Sequence, residues 1–181
     1  MENKAGFVIR GAAYLVDIFL ATLLVSPLIV LLGNNRGEID MIAGLMFMVY
    51  SSLATGMYGM TLGKRFFHLR VVTEDGTKVG MGKAFLRETL GKILSTLVFS
   101  LGYFWIIWDK NKQGWHDKIA KTFVVQYEAI GGGRKFLAYL LVCSLPIVVV
   151  LGIVATILLI AINPLGQLQK AQEAAKTYET R

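Results

Sequence analysis

Residues 5–33 read AGFVIRGAAYLVDIFLATLLVSPLIVLLG, a run of 29 residues in which only Arg10 and Asp17 are charged. A helix needs roughly 20 apolar residues to cross a hydrocarbon core, so this stretch predicts a membrane helix. The flank before it, MENK, is short and weakly basic, and no Ala-x-Ala-like cleavage site follows. That predicts a retained helix rather than a signal peptide. Composition agrees with the local reading. Of the 181 residues 55% are hydrophobic and 17% charged, with a mean hydropathy of +0.56. Soluble domains carry about 25% charged residues, so this balance speaks for lipid as solvent and against disorder.

Asn34-Asn35-Arg36-Gly37 is a turn signal. A second apolar stretch follows from Ile39 to Met60, containing Ser52 and Gly56, a spacing that lets another helix approach closely. The third, Phe85 to Trp108, is interrupted early by Arg87, Glu88 and Lys92. Its clean part, from Ile93, has 16 residues, which is short for a crossing and typical of re-entrant segments. The fourth, Phe136 to Ile162, has no charge and predicts a C-terminal transmembrane helix.

Loop charge bears on the third segment. Lys64, Arg65, Arg70, Lys78 and Lys83 lie before it, and Lys110, Lys112, Lys118, Lys121, Arg134 and Lys135 after it. Basic loops favour the cytoplasm, so both connections stay inside if the segment dips in and returns. The runs Phe67–Thr73 and Thr122–Tyr127 have strand composition and can pair only on one side of the membrane. The fold expected is an all-α integral membrane protein. It has three to four membrane helices or re-entrant segments and a small cytoplasmic two-stranded β element. The net charge of +7 points to anionic lipid head groups rather than nucleic acid.

Two constellations carry candidate chemistry. Arg10 and Asp17 stand seven residues apart, close to two helical turns, and share a face. A carboxylate at the depth of Asp17 needs protein or water around it and a partner. It is either an ion or proton site or a packing contact, with Tyr50, Ser51, Ser52 and Thr55 as candidate partners. The second constellation is Gly114-Trp115-His116-Asp117-Lys118-Ile119-Ala120-Lys121-Thr122. It predicts an interfacial helix with Trp115, Ile119 and Ala120 on its apolar side and lysines toward phosphates. His116 beside Asp117 suggests proton handling or a metal ligand; the plainer alternative makes Asp117 a cap or ion-pair partner. With His68 as the sole other histidine and Cys143 as the sole cysteine, no metal centre, cofactor or disulfide is expected. No phosphate-binding Gly loop, HExxH or GxSxG occurs, so an enzyme is not expected.

These motifs together resemble the RDD family of bacterial membrane proteins, named for one Arg and two Asp. AGFVIRGAAYLVDIF supplies Arg10 and Asp17; GMTLGKRFFHLRVVTEDG is similar to the family's middle stretch, with Lys64 and Arg70; GWHDKIAKTFVV resembles its closing motif and makes Asp117 the second Asp. The resemblance implies a bacterial inner-membrane location, and the basic connections give the chain a cytoplasmic N-terminus. It implies a candidate ion or proton site at Arg10, Asp17 and Asp117, supported by His116, Lys64, Arg70 and Arg87. Ion or small-ligand transport by a homo-oligomer is one expectation, with Arg10 and Asp117 as an inner gate pair. A non-catalytic scaffold or assembly protein of the envelope is the other.

The domain plan expected is a membrane domain over 1–127, a Gly-rich basic linker over 128–135, a membrane helix over 136–162 and an amphipathic tail over 163–181. The tail LLIAINPLGQLQKAQEAAKTYETR resembles the N-terminal helix of type IV pilins, which implies envelope or pilus machinery as a partner. The alternative is a plain span ending in an amphipathic helix.

Overall fold

The computed structural model describes residues 3–32, 36–98 and 100–179. The expected turn at Asn34-Asn35 lies outside them, as do the side chains of the tail beyond residue 159. Helix α1 spans Phe7–Leu32 and α2 spans Arg36–Tyr58. A short α3, Leu62–Phe66, leads into β1, Leu69–Thr73. The third apolar region is a broken helix: α4 at Met81–Leu86, a π-helical turn at Arg87–Gly91, α5 at Lys92–Leu97 and α6 at Leu101–Trp108. Helix α7, Trp115–Ala120, and β2, Thr122–Gln126, follow, and α8 runs over Gly132–Glu179.

Among the described residues, three helical stretches are long and apolar enough to cross a membrane: Phe7–Pro27, Ile39–Tyr58 and Gly132–Leu159. The segment from Met81 to Trp108 would add a fourth only as a broken span, because its two arms meet at 92°. Ser100, with φ 59°, starts α6 immediately after the break. Gly102 lies against Ser95, where a Cβ would come within 2.6 Å of the Ser95 Cα, so the two arms fold closely together. Apolar side chains such as Phe19, Leu23 and Leu24 on α1 point outward, as lipid-facing positions do.

The two strand-like runs pair with each other. β1 and β2 are antiparallel, with Leu69 opposite Gln126 and Thr73 opposite Thr122. β1 starts two residues later than the composition suggests, because His68 adopts φ 54° as the chain leaves α3. The N-terminus joins the same sheet edge: Ala5 N–H donates to the Val124 carbonyl (2.9 Å) and Gln126 N–H to that of Asn3 (2.8 Å). Phe67, Leu69, Val71, Val79 and Val124 form the small core beneath the sheet. This tether holds the start of α1 beside the loop that carries α7.

Gly56 is a close-approach position, as its spacing to Ser52 suggests: a Cβ there would come within 3.1 Å of the Met81 Cα. Residues up to Leu141 form one compact unit and Val142–Arg181 a second. α8 begins at Gly132, inside the stretch read as a linker, and takes in both the expected 136–162 span and residues 163–179 of the expected tail.

Candidate functional site

The site assembles around Asp117. α7 follows Gly114, whose backbone N–H donates to Asp117 Oδ2 (3.0 Å), so the carboxylate caps its own helix. The same oxygen accepts from Arg10 Nη2, while Arg10 Nη1 donates to the Lys112 carbonyl (2.7 Å). Asp117 Oδ1 accepts from Arg87 Nε at 3.0 Å. Two guanidinium groups and one backbone amide thus converge on a carboxylate with no exposed side-chain surface. Burial alone would raise its pKa. The charges of Arg10 and Arg87 overcome that and hold Asp117 well below the usual carboxylate range.

Glu88 is the second centre. The π-helical turn buries Arg87, Glu88 and Thr89 in succession, which an ordinary surface helix would not do. Arg87 Nη1 donates to Glu88 Oε1, Lys92 pairs with Oε2 one turn on, and Lys64 Nζ lies 3.7 Å from Oε1. Thr55 Oγ1 donates from α2 at 3.4 Å. Arg87 therefore bridges Asp117 and Glu88 into one buried network. Isolated charges would be expensive at this depth, and mutual pairing is what makes the burial tolerable.

Asp17 belongs to a neighbouring network. It accepts from Thr61 Oγ1, from the Gly63 backbone N–H (2.7 Å) and, more weakly, from Tyr50 Oη (3.5 Å). Tyr50 Oη in turn accepts from Leu62 N–H at 2.9 Å. The carboxylate thus locks the N-terminus of α3 onto α1 and α2. Of the partners expected on the second helix, Tyr50 is present. The closer ones, Thr61 and Gly63, come from the Thr-Leu-Gly-Lys stretch. Gly63 is required there, because a Cβ would run into the Ala13 carbonyl.

His116 is buried against Ser95 and Asp117, with Nδ1 3.4 Å from Ser95 Oγ and Nε2 3.6 Å from Asp117 Oδ1. Burial pushes its pKa down to about 3, against the pull of Asp117, so the ring is neutral at physiological pH. The buried face of α7 is His116, Asp117 and Ala120, while Ile119 is 39% exposed. Of the expected apolar side, Ala120 is buried and Ile119 exposed, while Asp117 turns inward, where Arg10 and Arg87 lie, and Lys118 turns outward.

The sequence-derived residues therefore fall into three groups. Arg10, Arg87, Asp117, His116 and Lys64 come together. Asp17 sits in the adjacent capping network. Arg70 lies outside both, exposed on β1 over the Tyr127 ring. Glu88 and Lys92 belong to the site, although the sequence presented them as interruptions of an apolar run. Their signal was an i,i+4 acid–base spacing at the start of a hydrophobic segment.

Arg10, Lys64, Arg87, Lys92, Tyr103 and His116 help to line a cavity of about 390 Å³. Lys92 Nζ also stands 5.3 Å over the Tyr14 ring. Among the described residues, no group of three His, Cys, Asp or Glu side chains is placed to hold a metal ion.

The sequence pattern of the RDD family covers residues 4–121. The chain belongs to the RDD family. Its relatives include three proteins of Bacillus subtilis (strain 168). The uncharacterized protein YckC is 30% identical over 67% of this chain and 84% of its own length. The uncharacterized membrane protein YteJ is 31% identical over 67% of this chain and 80% of its own. The uncharacterized protein YxaI is 30% identical over 69% of this chain and 99% of its own. No solved structure matches the chain. All the charged residues of the network lie inside the RDD region, and α8 lies beyond it.

Proposed function

We propose that this RDD-family membrane protein is a carrier for an ion or small ligand, working as a homo-oligomer in the bacterial inner membrane with its N-terminus in the cytoplasm. The observation that carries the reading is the cavity beside the Arg10–Asp117–Arg87–Glu88 network. Polar groups buried in a membrane domain mark ligand pathways more often than lipid contacts. The basic connections before and after the broken helix support a cytoplasmic location for both, with the segment from Met81 to Trp108 re-entrant. Oligomerisation follows from size. Carrier folds are built from many helices in repeats, and three or four segments give too little wall for one protomer to alternate access.

Flux through purified protein in liposomes tests the proposal. Imposed ion, proton or solute gradients should dissipate faster with protein than without. Arg10→Gln or Asp117→Asn should reduce the rate in any fraction that stays folded. No flux of any tested solute would favour the second reading, a non-enzymatic scaffold of the envelope. One observation speaks for that alternative. Asp17 has its acceptor sites occupied by Thr61, Gly63 and Tyr50, which suits a packing device better than a coupling carboxylate. The likeness of the tail to a pilin helix would give such a scaffold its partner.

A further inference from the structure

We infer that the cavity beside Arg10, Lys64, Arg87 and Lys92 takes an anion of the phosphate class, held chiefly by the Lys64 and Lys92 ammonium groups. This rests on the reading of that cavity as a ligand site and supplies the ligand's chemistry.

The argument begins with charge. Four cationic side chains line the cavity, and the carboxylates paired with them are Asp117 and Glu88. Even with Asp17, whose field reaches Lys64 from the neighbouring network, the cations exceed the carboxylates. His116 is neutral and does not alter the balance. A cation entering this space would meet a net positive field; an anion would complete it.

Hydrogen-bond accounting points to the same place. Asp117 already receives Arg10, Arg87 and Gly114 N–H; Glu88 receives Arg87 and Thr55 and forms an ion pair with Lys92. Lys64 differs from these. Its ammonium carries three donors, yet Glu88 stands 3.7 Å away, outside hydrogen-bond range, and its side chain is 15% exposed. Burial, reinforced by Arg87 and Lys92 and opposed by Glu88 and Asp17, pushes its pKa down to about 8. A half-buried ammonium with Arg87 and Lys92 close by, whose paired carboxylate Glu88 stands beyond hydrogen-bond range, is the group that an oxyanion would relieve.

Size and donor type narrow the class. About 390 Å³ leaves room for a polyatomic oxyanion or a lipid head group. Lysines act as point-charge binders of phosphate. Such an anion reaches the site either as a free phosphate or as the head group of an anionic lipid.

The test is binding, which is independent of flux. Purified full-length protein in a zwitterionic detergent is titrated with inorganic phosphate by calorimetry. In parallel, it is titrated with nanodiscs containing phosphatidic acid against discs of phosphatidylcholine alone. Phosphate binding, or selective binding of phosphatidic acid, is expected. Lys64→Gln should weaken it about tenfold or more, Lys64→Arg should retain most of it, and Arg70→Gln, outside the cavity, should leave it unchanged. If Lys64→Gln does not fold, Lys92→Gln replaces it. Free phosphate alone identifies a soluble anion, and phosphatidic acid alone a lipid head group; either supports the inference. Failure to bind both, or binding indifferent to Lys64 and Lys92, overturns it. Anion binding without flux would sink the carrier reading and leave this one standing, whereas cation flux without anion binding would do the reverse.

Discussion

Arg10 and Asp117 lie 107 positions apart and meet in a buried ion pair, with the other guanidinium nitrogen of Arg10 donating to the Lys112 carbonyl at 2.7 Å. The pair ties the entry of α1 to the loop and helix that follow α6. It is also shared. Arg87 approaches the opposite oxygen of Asp117, so the carboxylate links three separate segments of the chain. Loss of any one partner leaves the remaining buried charges short of a counter-charge.

Arg10→Gln and Asp117→Asn should therefore each lower thermal stability in detergent by roughly 3–5 kcal/mol. The double variant should lose less than the sum, by about 0.5–3 kcal/mol, as contacting residues do. Exchanging the two residues is a poorer test, because an arginine at 117 would face Arg87. Strict additivity in a thermal unfolding cycle would show that the pair contributes no coupling.

Asp17 separates a packing role from a coupling role. As a cap for α3 it accepts from Thr61 and Gly63, and an amide can replace only part of that. Asp17→Asn should cost about 1–3 kcal/mol of stability. Any flux per folded molecule should then persist. Loss of flux at an unchanged melting temperature would instead make Asp17 a coupling carboxylate.

The first of these relationships was legible in the sequence and the second only partly so. Arg10 and Asp117 could be matched because a helix entry and an amphipathic loop segment share one depth. The pairing of the two strand-like runs followed from the need to satisfy lone backbone groups. Asp17 needed a partner, and the sequence offered polar residues on the second helix. It could not reveal that the Thr61–Gly63 turn folds back between α1 and α2. Glu88 and Lys92 were harder still, since the π-helical turn that buries them departs from the 3.6-residue period on which face assignments rest.

Gly63 gives a local check on that turn. A methyl group there meets the Ala13 backbone carbonyl, which cannot rotate away, and crowds Asp17 Cγ at 3.0 Å. Gly63→Ala should destabilise by at least about 1–3 kcal/mol. Gly80→Ala, where a Cβ meets nothing within 4 Å, serves as the control and should be close to neutral. Equal melting temperatures for both variants would show that α3 does not sit against α1 in this way.

Topology can be read with exposed single cysteines in a Cys143→Ser background, since Cys143 is itself exposed. Thr77→Cys and Lys110→Cys place thiols on exposed positions before and after the broken helix. Both should be shielded from a membrane-impermeant reagent in intact cells and labelled after permeabilisation. Labelling of Lys110→Cys alone in intact cells would make the segment from Met81 to Trp108 a crossing, and would place α7 on the outer side.

Acid should loosen the site in two stages. His116 has a folded-state pKa of about 3 against an ordinary 6.5, so between these values the unfolded chain binds the extra proton and the folded chain does not. Stability linked to His116 is present above about pH 6.5 and falls as pH drops toward 3, by up to about 1.4 kcal/mol per pH unit. Asp117 stands opposite the ring and favours its protonation, but burial and the charges of Arg87, Arg10 and Lys92 outweigh it. Asp117 adds a second loss lower down. Its pKa is depressed in the fold, so its contribution persists above the ordinary carboxylate value and fades below it. Melting temperatures measured in detergent from pH 8 to about pH 3 should decline for the wild type, starting near 6.5. His116→Gln should flatten that upper decline while leaving the Asp117 loss at lower pH. A wild-type profile that is flat from pH 7 to 5 would mean that His116 takes its proton inside the fold, and that its contacts with Ser95 and Asp117 leave it open to solvent.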